Sequence, residues 1–103
     1  MTKEQLAETE AKIISAGKLI LSNCHLCETV TKANKELTDV LADIERDINV
    51  IYAQISMKKE NSGKPAAHIK RLWKAETVEE VRLYSIAKGY KKTLNNIEYN
   101  LYK

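Results

Sequence analysis

Leu6, Ile13, Ile20, Cys27, Asn34, Leu41, Ile48 and Ile55 recur at every seventh position, and Asn34 is the one polar member of the set. Three residues after each of the first seven come Thr9, Ala16, Asn23, Val30, Leu37, Ile44 and Ile51, apolar without exception from Val30 onward. A period of seven with an offset of three puts both sets on one side of an α-helix. A chain patterned in this way carries a long apolar stripe that something must cover. Leu19, Leu26, Ala33 and Val40, each one position ahead of a stripe member, widen it. A two-stranded coiled coil needs only the narrow seam, whereas a bundle helix needs about three positions in seven, so this stripe reads as covered from two sides.

No proline interrupts residues 2–64, Thr2 and Gln5 form a capping-box pair at the start, and the heptad count runs unbroken. These features predict one long helix over residues 2–57. The weak point is Ser22-Asn23-Cys24-His25, a run of modest helix formers followed by Thr29-Val30-Thr31, and a hairpin break near residues 22–31 is the alternative. Lys58-Lys59-Glu60-Asn61-Ser62-Gly63-Lys64 then reads as a basic loop, with Pro65 suited to the first turn of a new helix. A short helix follows to about Lys74, with Ala66, Ile69, Leu72 and Trp73 on one face. Thr77 and Glu80 have capping-box spacing and open a last helix from Val78 to about Tyr102. Val78 and Val81 start its apolar side, which Leu83, Ala87, Tyr90, Leu94, Ile97 and Leu101 continue.

The expected fold is therefore all-α: a single helical domain over residues 1–103, in which a long N-terminal helix or helical hairpin packs with a short helix and a C-terminal helix, coiled-coil-like. Three glycines and one proline are few turn formers for a β-rich chain, and phenylalanine, a strand-favouring residue, is absent. As one helix, the stripe from Leu6 to Ile55 alone would reach roughly 75 Å, longer than the two later helices can cover. That mismatch points to self-association along Leu6, Ile13, Ile20, Cys27, Asn34, Leu37, Leu41, Ile44, Ile48, Ile51 and Ile55, a natural remedy in a chain near the lower size limit for an adequate core. Asn34 in such a seam is either a tolerated polar residue or, satisfied by another Asn, a device that fixes register.

Charge is unevenly placed. Residues 1–56 hold six Lys/Arg against nine Asp/Glu, and residues 57–103 hold eleven against five. The basic half can face an acidic partner or nucleic acid, through Lys64, Lys70, Arg71, Lys74, Arg82, Lys88, Lys91 and Lys92. Trp73, Tyr84 and Tyr90 interleave with these cations, and residues 66–92 have the outline of a helix-turn-helix. The turn at Ala75-Glu76-Thr77 lacks the usual glycine, however, and Glu79 and Glu80 oppose phosphate contact there.

Cys24-His25-Leu26-Cys27 offers two thiols at a spacing that can share zinc, with His25, Glu28 or His68 to complete a shell. A second Cys pair is missing, and Cys27 sits where small apolar core residues belong. A Cys–His nucleophile built with His68 lacks an orienting third residue and an oxyanion hole. Gly17, Gly63 and Gly89 are isolated and make no phosphate loop. No activity, metal or cofactor is read from these residues. The polar start and the short apolar runs give neither a signal peptide nor a membrane span, so the expected setting is the cytoplasm, with both thiols reduced. The expected role is a non-enzymatic, self-associating protein-interaction module acting as adaptor or inhibitor, with a nucleic-acid-binding accessory protein as the alternative. The Lys-, Asn- and Ile-rich, motif-poor character is the style of phage and mobile-element accessory proteins, an impression carried by composition alone.

Overall fold

The computed structural model describes residues 1–22 and 26–103. Among them are four α-helices, α1 (Lys3–Leu21), α2 (Cys27–Met57), α3 (Ala66–Glu76) and α4 (Val78–Leu101), a single 3-10 turn over Lys59–Asn61, and no strand. The all-α expectation holds. No helix among the described residues is long and apolar enough to cross a membrane.

Three helices share one core. The Met1 ammonium reaches Asp47, while Leu19 faces the same surface depression as Thr29 and Ala33, so α1 and α2 run antiparallel. Asn34 meets Asn95 and Thr31 meets Glu98, so α4 returns antiparallel to α2. Glu10 beside Arg82 and Gly17 beside Tyr90 set α1 and α4 parallel. Ile13, Ala16, Val30, Leu37, Val40, Ile44, Leu83, Ala87 and Leu94 fill the space between them. The widened stripe has its explanation here: α2 is flanked by α1 on the Ala33 and Val40 side and by α4 on the Asn34 and Leu41 side. Leu26 departs from that pattern; it precedes α2 and is largely exposed.

The single long helix does not occur. α1 ends at Leu21, with the Ser22 N–H donating to the Leu19 carbonyl, and α2 starts at Cys27. The hairpin alternative is the one observed. Seven residues separate Ile20 from Cys27 whether or not the chain between them is helical, so an unbroken count does not require an unbroken helix. Each helix takes its rotation from the core it packs on. The length mismatch disappears with the long helix. At 1.5 Å per residue α2 spans about 46 Å, and α4 at about 36 Å plus α3 at about 16 Å are long enough to line it.

Local signals at the helix ends account for the corners. The Thr2–Gln5 capping box is complete, each side chain accepting from the other's backbone N–H. After α2, Gly63 takes φ 77°, a left-handed conformation that glycine adopts without strain. Asn61 is buried and donates to the Ile55 carbonyl at 2.9 Å, satisfying one of the acceptors that a helix C-terminus leaves open. Trp73 ties α3 to α2: its indole N–H donates to the Ile48 carbonyl at 3.0 Å, and its ring meets Tyr52 edge-on at 5.2 Å.

Two expectations about α4 are corrected. Thr77 does not cap α4 with its side chain; its hydroxyl donates to the Trp73 carbonyl at 2.8 Å and so closes α3. Glu80, freed from a capping role, turns inward, is 4% exposed, and accepts from the Met1 ammonium at 3.4 Å. Glu80 and Leu83 thus open the inner face, and Val78 and Val81 point outward at 59% and 48% exposure. The inner positions from Leu83 through Leu101 include all those the spacing predicts, and Tyr84 and Ile86 pack against the core beside them.

Candidate interaction surfaces

The stripe residues are the core of the chain's own bundle. Ile13, Asn34, Leu37, Ile44 and Ile55 are buried, and Leu6, Ile20, Leu41 and Ile48 pack against the main cluster. Cys27 and Ile51 are half-buried. The seam expected to join copies is therefore occupied by α1, α3 and α4 of the same chain, because the break between α1 and α2 folds the stripe back on itself.

Asn34 explains how a polar residue sits in that core. Its amide donates to Asn95 Oδ1 and to Glu98 Oε2, both at 2.7 Å, and its carbonyl oxygen accepts from Lys91 Nζ at 2.9 Å. Thr31 donates to the other Glu98 oxygen at 3.1 Å and shares a hydrogen bond with the Tyr102 hydroxyl. This is the Asn-to-Asn register device, and the two elements it aligns are α2 and α4 of one chain. A shift of α4 by one turn would leave the buried Asn34 amide without these partners.

The basic half does not form one surface. Arg82 is engaged by Glu79 at 2.9 Å and by Glu10 at 3.4 Å, and Lys91 is committed to Asn34. Lys88 lies over the Tyr84 ring at 6.0 Å. Lys88 and Lys92 are about 16 and 22 Å along α4 from Thr77, whereas Lys64, Lys70, Arg71 and Lys74 gather at the α3 corner. The aromatics that interleave with them are used in packing, Trp73 on Tyr52 and Tyr90 against Gly17. α3 packs on α2 and not on α4, so the two helices of the helix-turn-helix outline do not form a packed pair.

Of the zinc candidate, Cys24 and His25 lie outside the described residues, as does Asn23 of the apolar stripe. Cys27 opens α2 and His68 sits on α3, which is tied to the far third of α2 through Trp73 and Ile48, so those two cannot share a metal or form a nucleophile pair. His68 Nδ1 is 3.2 Å from an Arg71 guanidinium nitrogen. Among the described residues no group of three metal-ligating side chains converges.

Two open depressions follow the α1–α2 junction. One of about 410 Å³ is lined by Met1, Thr9, Lys12, Asp47 and Val50 among others, and one of about 200 Å³ by Ala16, Leu19 and Ala33. In the first, the Met1 ammonium lies 2.8 Å from Asp47, and that hydrogen bond raises its pKa above 8.0.

The bundle's most exposed apolar side chains include three that lie outside the spacing sets and one, Leu26, that the spacing places inside the stripe. Leu21 (84%), Leu26 (62%), Tyr99 (69%) and Tyr102 (64%) all lie at the end where α1 finishes, α2 starts and α4 finishes. The signal was available: Leu21 is off the seven-residue series, and Tyr99 and Tyr102 fall outside the 83-87-90-94-97-101 set. No family model, curated protein or solved structure matches this chain.

Proposed function

We infer that the chain is a small non-enzymatic protein-interaction module of the cytoplasm that self-associates through the apolar end of its bundle and serves as an adaptor or inhibitor of another protein. The observation that carries this reading is the grouping of Leu21, Leu26, Tyr99 and Tyr102 at one end, each more than three-fifths exposed. Covering one such side chain contributes about 1.5–3 kcal/mol, and tyrosines are enriched where protein surfaces meet. A second copy suits this end because charge is sparse there. Residues 19–31 and 96–103 contain only Glu28, Glu98 and Lys103, so two copies meet end to end without strong like-charge repulsion.

Light scattering on a sizing column tests the reading. The expected mass is a multiple of the 11.7 kDa chain, and Leu26→Glu combined with Tyr99→Glu returns it to 11.7 kDa with unchanged circular dichroism. A wild-type mass of one chain throughout the concentration range sinks self-association at this end. Ile48→Asp is not a usable probe, since Ile48 packs against the core and its loss disrupts the monomer itself.

A further inference from the structure

We propose that the opposite end of the bundle, the corner made by the close of α2, the 3-10 turn and α3, binds the phosphate backbone of double-stranded nucleic acid without reading its sequence. Residues 58–76 hold six cations, Lys58, Lys59, Lys64, Lys70, Arg71 and Lys74, against Glu60 and Glu76. This net +4 exceeds the +3 of the whole chain, so the rest of the molecule is slightly acidic. All six cations are exposed. Ion pairs among the described residues belong to Met1, Arg46 and Arg82, and none draws a charge from this corner. The positive potential is left for an outside anion.

The frame under these charges is fixed. Asn61 is pinned to the Ile55 carbonyl, Trp73 to the Ile48 carbonyl, and Ile69 is buried beneath α3. With Ile69 and Trp73 inward, helical phase places Lys70, Arg71 and Lys74 on the outward half of α3, and Lys70 and Lys74 are about 6 Å apart along its axis.

Nucleic acid fits this corner better than an acidic protein does. A protein interface relies on apolar or aromatic anchors buried at its centre. Here Trp73 and Tyr52 are spent on each other, the outward positions of α3 between its cations are Ala66, Ala67 and Ala75, and Met57 at the close of α2, 83% exposed, is a flexible apolar chain without an exposed aromatic beside it. Phosphate contact needs only cations. The lack of a free aromatic also disfavours single strands, whose bases stack on such rings. The basic surface is thus narrower than the span from Lys64 to Lys92: it gains Lys58 and Lys59 and loses Arg82, Lys88, Lys91 and Lys92.

Fluorescence anisotropy with a labelled mixed-sequence DNA duplex provides the test. With about four phosphates contacted, affinity falls roughly a hundredfold between 50 and 200 mM salt. Lys70→Gln with Lys74→Gln makes the log–log salt slope shallower by about 2, while Lys88→Gln with Lys92→Gln, equal in charge but remote from the corner, leaves it close to wild type. All four positions are exposed, and circular dichroism checks that the variants are folded. No duplex binding at 50 mM salt, or equal losses from the two double variants, overturns the proposal. So does polyglutamate competing as well as unlabelled duplex, which would assign the corner to an acidic polypeptide.

Discussion

Gly17 is where the bundle geometry makes its sharpest quantitative claim. It lies within α1, where replacing Gly by Ala ordinarily stabilises a helix by about 1 kcal/mol. A Cβ at this position, however, would sit 2.8 Å from Tyr90 Cε2, 3.0 Å from Cζ and 3.1 Å from the hydroxyl oxygen. Tyr90 is half-buried and its ring is stiff, so relief requires the ring to swing away from the core or α1 to move off α4. Overpacking of this kind costs about 1–3 kcal/mol and outweighs the propensity gain. Gly17→Ala is therefore expected to destabilise the chain by about 1 kcal/mol, lowering Tm by about 4–8 °C at this size. The same change in a Tyr90→Leu background, which removes the three crowding atoms, should instead stabilise by about 1 kcal/mol, so the pair couples by about 2 kcal/mol. Gly89→Ala is the internal control: it is in α4, no atom lies within 4 Å of its added Cβ, and it should stabilise by about 1 kcal/mol in any background. Urea unfolding followed by circular dichroism measures all of these. If Gly17→Ala stabilises the wild-type chain as Gly89→Ala does, α1 does not lie against α4 as described.

The register network predicts that Asn34→Ala lowers stability by about 1–3 kcal/mol, because Lys91, Asn95 and Glu98 lose a shared partner in a part-buried site; an unchanged urea midpoint would show that water replaces Asn34 at no cost. The Met1 ammonium predicts an alkaline loss. Its folded pKa is raised above 8.0 by Asp47, so its contribution is complete below about pH 8 and drains away as pH climbs through the folded value. Stability should fall above pH 8.0 in wild type and fall less in Asp47→Asn, and parallel pH profiles for the two would refute the pairing.

What could be read from the sequence was helix content and inward faces, because those follow from a local period. Leu83, Ala87, Leu94, Ile97 and Leu101 were placed correctly by spacing alone, and so was the corner at Asn-Ser-Gly. What could not be read was anything set by a partner distant in the chain. The seven-residue count passes over the end of α1 because sequence spacing is the same whether or not the residues between Ile20 and Cys27 are helical. Glu80 has the spacing of a cap, yet the Met1 ammonium, seventy-nine residues away, offers it a stronger charged partner and draws it inward. Nothing local to Gly17 signals that Tyr90, seventy-three residues on, packs against it. Asn34 was legible as a register residue, but whether its partner lay in the same chain depended on the hairpin.

The two ends of the bundle differ in a way that separates the two proposals. Leu21, Leu26, Tyr99 and Tyr102 group at the start of α2, and the six cations of the basic corner lie along its last third and close, about 31–46 Å along the helix. At physiological salt the Debye length is about 8 Å, so charge at one end is screened from the other. Copies joined at their apolar ends would hold their basic corners outward and apart, and binding one duplex through both would raise apparent affinity without any new contact. Leu26→Glu with Tyr99→Glu should then weaken duplex binding by dissolving the pair while leaving the salt slope per chain intact. Lys70→Gln with Lys74→Gln should flatten that slope and leave the mass unchanged. A variant at either end that altered both the mass and the slope per chain would mean the two surfaces are one, and that the separation along α2 has no functional meaning.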